Sequence, residues 1–320
     1  MDTEVFLASD GRALALLRKE YPELPVFELP GYNVKYKGKS MTRSIAAQLP
    51  KISRAIWAER KAIGRIVEKE HIDVVISDNR YGCRNNKTKN IFITHQINIA
   101  TPNKIADILV NKINHQFINR FDECWIPDFE GETSLAGKLS KALSENQKYI
   151  GPLSRFNFTE TDLDYQLLVV LSGPEPQRSH LEKIILEQLM DTTIKALIVQ
   201  GKTEQYEERK INDNISLVSY LTSDKLNSVI LKSEIVLARS GYSTIMDLAK
   251  VGKPAILIPT PGQTEQEYLA DRLMTKGLFY ASKQSSFNLK TALSKANSYT
   301  GFSLQNNSSK LLEKRLQSLF

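Results

Sequence analysis

The most informative stretch of this 320-residue chain is Ile235-Val236-Leu237-Ala238-Arg239-Ser240-Gly241-Tyr242-Ser243-Thr244-Ile245-Met246-Asp247-Leu248-Ala249. A short apolar run ends in a glycine turn, and a helical pattern begins directly after it, with Ser243 or Thr244 as the predicted cap. The pattern therefore predicts free helix amides and the positive end of a helix dipole beside Gly241, at the carboxyl end of a strand. Anions, phosphates above all, bind well at such a place, although strand-turn-helix units are equally common as plain architecture.

Length and composition indicate a globular protein with room for two domains. The hydrophobic content is 41% and the charged content is 25%, as in soluble proteins. Cys83 and Cys124 lie far apart and match no metal-binding spacing, so they fit reduced thiols. Neither a signal peptide nor an apolar run long enough to span a bilayer is visible. The sequence therefore predicts a cytoplasmic location.

The net charge of +7 is concentrated in residues 32–65. This segment has one acidic residue, Glu59, against nine basic ones: Lys35, Lys37, Lys39, Arg43, Lys51, Arg54, Arg60, Lys61 and Arg65. Apolar residues recur there at helical spacing, which predicts a basic amphipathic helix that Pro50 breaks or begins. Such a helix either packs on a sheet with a solvated basic face or rests on an anionic membrane surface. Nucleic acid is disfavoured, because no stacking motif or binding signature accompanies the charge.

The first half alternates short strands with helices, which predicts a parallel α/β sheet. Two polar residues, Asp78 and His95, follow the predicted strands 72–76 and 91–94. Ligands meet parallel sheets at the carboxyl ends of strands, so each residue is a candidate general base or acceptor-binding group. The alternative roles are a turn cap for Asp78 and a hydrogen-bonded structural histidine for His95.

The second half begins after Tyr149–Arg155, whose Gly-Pro pair is typical of a linker. The apolar run 167–171 predicts a strand covered on both faces, and it leads into a second glycine turn at Ser172-Gly173. Further predicted strands, at 196–199, 215–218 and 254–259, lead to polar turns around Gly201, Tyr220 and Gln266. So many polar or glycine turns at one sheet edge favour a ligand-binding site there.

The sequence resembles the nucleotide-sugar domain of family 28 glycosyltransferases, which have the GT-B fold. The resemblance rests on the motif of residues 239–247, Gly252-Lys253-Pro254, Ile258-Pro259 and Glu265-Gln266, and it is dense over 167–281. A weaker match is Ile93–Asn98. It implies an α/β protein with two Rossmann-like domains facing across a cleft. The expected divisions are an acceptor-side domain 1–150, a nucleotide-sugar domain 151–305 and a terminal helix 306–320 that packs back on the first domain.

The resemblance also implies roles for individual residues. Gly241 and the amides of Tyr242 and Ser243 would hold the donor diphosphate, and Ser172 and Gly173 would close on it. The expected donor-binding set is completed by Tyr220 and Leu221 at the uracil, Arg239 in the central motif, Asp247 at the ribose, and Gln266 with Glu267 at the sugar. Asp247 departs from the family pattern, which has a longer Glu at that position.

The implied reaction is an inverting hexosyl transfer that needs no metal and no cofactor. A UDP-linked hexose or N-acetylhexosamine would pass to an acceptor hydroxyl in envelope or lipid-linked glycan synthesis, at the inner membrane face. His95 and Asp78 are the candidate bases. Asp162 and Asp164 resemble an Asp-x-Asp metal site, but they precede a predicted strand, so we interpret them as part of a polar loop. The alternatives are a sugar-nucleotide epimerase of related fold and a non-catalytic nucleotide-sugar-binding subunit.

One departure concerns the first domain. The family's first strand and its loop with a Gly-His pair have no counterpart in the sequence, which matches the family from the second strand onward. A sheet without its first strand has a gap at its centre, which costs stability. We therefore expect an interrupted first sheet and weak activity of this chain.

Overall fold

The computed structural model describes residues 3–32, 49–101, 103–203, 205–303 and 308–319. The chain divides into two compact units. The first unit comprises Met1–Gly151 together with Leu311–Phe320, and the second comprises Pro152–Lys310. Within the described ranges, no helix combines the length and the apolar character that crossing a bilayer requires.

The strands of the first unit form two separate parallel sheets. One contains β1 (Leu7–Ser9) and β2 (Val26–Glu28), and the other contains β3 (Val74–Asp78), β4 (Lys89–Ile93), β5 (Glu123–Ile126) and β6 (Gln147–Tyr149) in that order. Among the described residues, β1 pairs only with β2 and β3 pairs only with β4. The side chain of Ile76 in β3 is 44% exposed, although most residues of β4 and β5 are buried. The strands that the structure describes in the first unit are therefore interrupted between β1 and β3.

Three helices of the first unit are α1 (Gly11–Glu20), α2 (Leu49–Glu70) and α3 (Lys104–Ile118). Pro50 lies in the first turn of α2, where its missing amide proton costs nothing, so it begins this helix. The inner face of α2 packs in an apolar cluster with Leu29 and Cys83. Glu59, the acidic residue of the basic segment, is fully buried and accepts hydrogen bonds from Tyr32, Arg80 and the amide of Gly82.

The described part of the basic segment is consistent with a solvated basic face. Four basic residues of α2, Lys51, Arg54, Lys61 and Arg65, are exposed, and Trp57 among them is 66% exposed. Residues 33–48, which carry the other basic positions between Lys35 and Arg43, lie outside the described residues.

The second unit contains a seven-stranded sheet in the order β13-β12-β11-β7-β8-β10-β9. Its strands are β7 (Tyr165–Val170), β8 (Ala196–Val199), β9 (Glu208–Lys210), β10 (Ile215–Val218), β11 (Ser233–Ala238), β12 (Ala255–Leu257) and β13 (Tyr280–Ala281). Neighbouring strands pair in parallel, except that β9 is antiparallel to β10 at one edge. The central strands are apolar and almost entirely buried, as expected when helices cover both faces of a sheet.

The helices of the second unit are α4 (Gln177–Met190), α5 (Ser223–Leu231), α6 (Tyr242–Val251), α7 (Thr264–Thr275) and α8 (Leu289–Ala296), and α9 (Ser308–Gln317) ends the described chain. α6 ends at Gly252, whose left-handed backbone (φ 63°) suits a glycine cap. The segment interpreted as a linker has defined contacts: Tyr149 ends β6, and Leu153 and Ser154 bind side chains of α6. The architecture is therefore α/β, as predicted from the alternation of strands and helices.

Candidate functional site

The first turn of α6 lies at the carboxyl end of β11 and has no side-chain cap. Gly241 is the N-cap residue, with φ −71° and ψ 145°, and no side chain caps the helix at that position. The prediction that Ser243 or Thr244 caps the helix is wrong, because the extended backbone that defines a cap occurs at Gly241 and both hydroxyl residues lie inside the first turn. Ser243 is exposed, whereas Tyr242 is buried.

Gly241 is not required by the backbone or by packing. Its φ of −71° suits any residue, and a Cβ built at this position meets no heavy atom within 4 Å. Open space therefore adjoins the start of α6 at the point where the helix dipole is positive.

The neighbouring strand β7 ends in a second glycine turn. Ser172 and Gly173 are exposed there, and Gly173 has a φ of +96° that favours glycine. A Cβ at Gly173 would lie 3.5 Å from the hydroxyl oxygen of Thr260, which belongs to the turn after β12. The turns after β7 and β12 are thus in contact at this edge.

Gln266 and Glu267 stabilise the turn that follows β12 by hydrogen bonds. The side-chain oxygen of Gln266 accepts the Thr260 amide at 2.9 Å, and its carbonyl accepts the Ser240 hydroxyl at 2.8 Å. A carboxylate oxygen of Glu267 accepts the Gly262 amide at 3.0 Å. Within the described part of the chain, the side-chain nitrogen of Gln266 makes no hydrogen bond and is available to a ligand.

Asp247 lies on the second turn of α6 and contacts the segment that connects the two units. Its carboxylate accepts the Ser154 hydroxyl at 2.6 Å. Burial raises the pKa of Asp247 to about 6, while Ser154 and the charge of Arg155 lower it in part. Leu153 adds a bond from its amide to the sulfur of Met246. The short side chain of Asp247 is therefore hydrogen-bonded to Ser154, which lies in the predicted linker.

Arg239 lies beneath the turn and does not reach its surface. The residue is 1% exposed, and its guanidinium donates to four acceptors in neighbouring turns: the carbonyls of Gln177, Ile258 and Pro259 and the side-chain oxygen of Gln284. Arg239 thus holds together the ends of the turns that surround Gly241.

Tyr220 and Leu221 follow β10 at the same sheet edge and are half-buried. The ring of Tyr206 stands edge-on to that of Tyr220, with 5.8 Å between the ring centroids, and Tyr206 is 49% exposed. Tyr206 is not predicted by the sequence, because it lies in a polar loop before β9 with no periodic signal.

The two catalytic candidates of the first unit are close enough to interact. Burial raises the pKa of Asp78, and the charge of His95 partly lowers it. Asp78 ends β3 and His95 follows β4, and these strands are adjacent in the sheet. The structure thus places both residues at the carboxyl edge of one sheet, as their positions predicted.

Two other features lie away from these edges. Asp164 forms an ion pair with Lys232 at 2.9 Å. A concavity of about 460 Å³ opens at the opposite, amino-terminal edge of the second sheet, beside Gln166, Ile194 and Glu234. We place the functional edge at the carboxyl ends instead, because helix amino termini and free polar groups converge there.

Two Rossmann-like α/β units with polar carboxyl edges define the GT-B class of glycosyltransferase folds. MurG of Acinetobacter baumannii has this fold: it superposes with a TM-score of 0.52 at 12% identity, over 99% of this chain and 85% of that protein. Residues 168–319 match the family described as Glycosyltransferase family 28 C-terminal domain. This match spans the second sheet and its helices and confirms the resemblance to family 28 glycosyltransferases.

Relatives extend the similarity into the first unit. An uncharacterized glycosyltransferase of Methanosarcina mazei is 26% identical over 274 residues, which cover 78% of this chain and 71% of the relative. The UDP-N-acetylglucosamine--N-acetylmuramyl-(pentapeptide) pyrophosphoryl-undecaprenol N-acetylglucosamine transferase of Flavobacterium psychrophilum is 27% identical over 114 residues, 34% of this chain and 30% of that enzyme. The family and the relatives support glycosyl transfer as the activity.

Proposed function

We propose that this chain transfers a hexose or N-acetylhexosamine from a UDP-linked donor to an acceptor hydroxyl. The observation that carries the proposal is Gly241, a glycine that neither its backbone angles nor its neighbours require. A diphosphate in the open space beside it would accept hydrogen bonds from the first amides of α6 and lie at the positive end of that helix.

The other residues of this edge fit the remainder of such a donor. Ser172 and Gly173 form an exposed turn that could cover the diphosphate, and Tyr220 and Leu221 lie at the same edge for a uracil ring. The free side-chain nitrogen of Gln266 is suited to donate to a sugar hydroxyl, with Glu267 next to it. Asp247 would bind the ribose through the carboxylate oxygen that Ser154 does not use.

The proposed reaction is a direct displacement with inversion. The acceptor oxygen attacks the anomeric carbon, the bond from that carbon to UDP breaks, and a base takes the acceptor proton. Asp78 and His95 are the proposed base and its partner, because the raised pKa of Asp78 makes its carboxylate a stronger proton acceptor. The α6 amides would stabilise the departing diphosphate without a metal ion.

We further propose contact with an anionic membrane, which would bring the chain to a lipid-linked or envelope glycan acceptor. Three apolar residues of α3 are strongly exposed: Ile105 (79%), Ile108 (73%) and Leu109 (62%). Together with the exposed basic face of α2, they supply the apolar and the positively charged surfaces that peripheral binding uses. Flotation with vesicles containing anionic lipid should recover the protein, and Ile108→Asp should abolish recovery while Lys183→Gln, on an exposed face of α4, does not.

The direct test of the function is calorimetric titration with several nucleoside diphosphates, followed by measurement of donor hydrolysis and sugar transfer. We expect UDP to bind, and the proposal fails if it does not. Binding without hydrolysis or transfer would favour the alternative of a non-catalytic donor-binding subunit, which the interruption between β1 and β3 supports.

A further inference from the structure

Arg239 is a buried cation without a counter-ion among the described residues. Its side chain is 1% exposed, and its four hydrogen bonds go to three main-chain carbonyls and to the amide oxygen of Gln284. In the described ranges, no carboxylate lies within ion-pair distance of it. Burial alone lowers the pKa of Arg239 to about 10.

Two other arginines with little exposure among the described residues, Arg178 and Arg80, are paired with carboxylates. Arg178 binds Glu175 and Glu182, and Arg80 of the first unit binds Asp10 and Glu59. Removing an unpaired charge from water costs several kcal/mol even when hydrogen bonds remain. An isolated cation at this position therefore needs an explanation other than stability.

Two polar atoms at the same place have no hydrogen-bond partner in the part of the chain that the structure describes. They are the Nε atom of Arg239 and the hydroxyl oxygen of Thr260, and both are buried. Thr260 is 2% exposed and follows Pro259, whose carbonyl Arg239 binds. Its hydroxyl faces the Gly173 turn, at 3.5 Å from the position of a Cβ there. Buried polar groups without a protein partner are rare in folded proteins, and they indicate strain, a bound water or a ligand.

We propose that the diphosphate of the donor is the counter-ion of Arg239 and the hydrogen-bond acceptor of Thr260. This inference rests on the proposed function. The dianion would lie at the start of α6, above the guanidinium, and the Thr260 hydroxyl would donate to it when the Ser172–Gly173 turn closes over the ligand. Arg239 is then a positioning residue that acts through its charge and through the turns that it holds.

The arrangement explains why the charge is buried instead of exposed. A guanidinium fixed by four acceptors keeps its position while the ligand is absent, and low polarisability around it strengthens its attraction for an anion. The helix ends at α4, α6 and α7 add partial positive charge at the same edge. An unliganded site of this kind is unfavourable for the protein alone, and a bound diphosphate compensates the buried positive charge.

The test compares the affinities of uridine and UDP for the wild-type chain and for Arg239→Gln and Arg239→Lys, by calorimetry at constant salt. Loss of the charge should weaken UDP binding about tenfold or more and leave uridine binding within about twofold. Arg239→Lys keeps the charge and should stay within about threefold of wild type for UDP. The matched control is Lys253→Gln, because Lys253 is also a cation whose hydrogen bonds go to carbonyls but lies at the amino-terminal edge. It should change neither affinity.

Thr260→Val gives an independent test that does not depend on how the arginine variants fold. Because the hydroxyl has no partner among the described residues, we expect the ligand-free variant to melt at or above the wild-type temperature, yet to bind UDP several-fold more weakly. The inference is overturned if Arg239→Gln weakens uridine and UDP equally or weakens neither, or if Thr260→Val keeps wild-type affinity for UDP. If wild type binds neither UDP nor another nucleoside diphosphate, the proposed function itself fails.

Discussion

Replacing Asp247 by Asn should stabilise the ligand-free protein above pH 6. The carboxyl has an ordinary pKa of 3.8 and a pKa of about 6 in the folded protein, mainly because of burial. The folded state therefore holds the proton more tightly than the unfolded chain. Protonation of Asp247 therefore stabilises the folded state fully below about pH 4, and this contribution is lost as pH rises to about 6. The difference corresponds to roughly 3 kcal/mol, and Asn keeps an oxygen that can accept from Ser154.

The assay is thermal unfolding of wild type and Asp247→Asn between pH 4.5 and pH 8. For a unit of this size, a change of about 2–3 kcal/mol shifts the melting temperature by about 5–10 °C. We expect similar melting temperatures at pH 4.5 and a more stable variant at pH 8. Ser154→Ala is the companion variant, because loss of its hydroxyl removes a bond that lowers the pKa of Asp247, so its stability should fall more steeply with pH.

The same substitution should weaken UDP binding, because a carboxylate retained at a cost in stability is expected to serve a ligand. Two results would refute the assigned burial of this carboxylate. In the first, Asp247→Asn is no more stable than wild type at pH 8. In the second, the variant loses stability between pH 4.5 and pH 6 as wild type does. Unchanged UDP affinity in a stabilised variant would refute its ribose role alone.

Two further predictions concern the first unit. Gly82→Ala should destabilise the first unit by about 2 kcal/mol or more, because an added Cβ collides with the carboxylate of Glu59. Gly64→Ala, inside α2, should instead stabilise the first unit by up to about 1 kcal/mol. Equal melting temperatures for the two variants would contradict this prediction. Asp128→Asn should lower the free energy of urea unfolding by about 2–4 kcal/mol, because the buried carboxylate accepts five hydrogen bonds. The donors are Phe129, Ser134, Leu135, Ala136 and Ser140. An unfolding midpoint equal to that of wild type would show that these bonds carry little net energy.

Much of the fold could be predicted, because apolar runs define the central strands of a parallel sheet. The runs at 196–199 and 215–218 coincide with β8 and β10, since both are buried and bounded by polar turns. β9 gives no such signal: its residues Glu208, Arg209 and Lys210 are charged and exposed at the sheet edge. β6 was not predicted for a similar reason, because Gln147–Tyr149 alternates too briefly to show a period, and its last residue was assigned to the predicted linker.

The candidate site was predictable where it depends on order along the chain and not where it depends on contacts between distant residues. Turns after parallel strands must meet at one edge, so Gly173, Gly241 and Gln266 could be grouped from the sequence. The bond between Ser154 and Asp247 joins residues 93 positions apart, and no local pattern indicates it. The burial of Arg239 was missed as well, since a charged residue in a turn is usually solvated.

The central claim is that the start of α6 binds the diphosphate of a nucleotide sugar, and titration of wild type, Gly241→Ala and Gly241→Asp with UDP tests it most directly. The open space at Gly241 allows both variants to fold, which their melting temperatures will verify. We predict that UDP binds wild type, that Ala reduces the affinity moderately, and that the Asp carboxylate reduces it at least about tenfold by repelling the phosphates. Wild-type affinity in Gly241→Asp would contradict the claim.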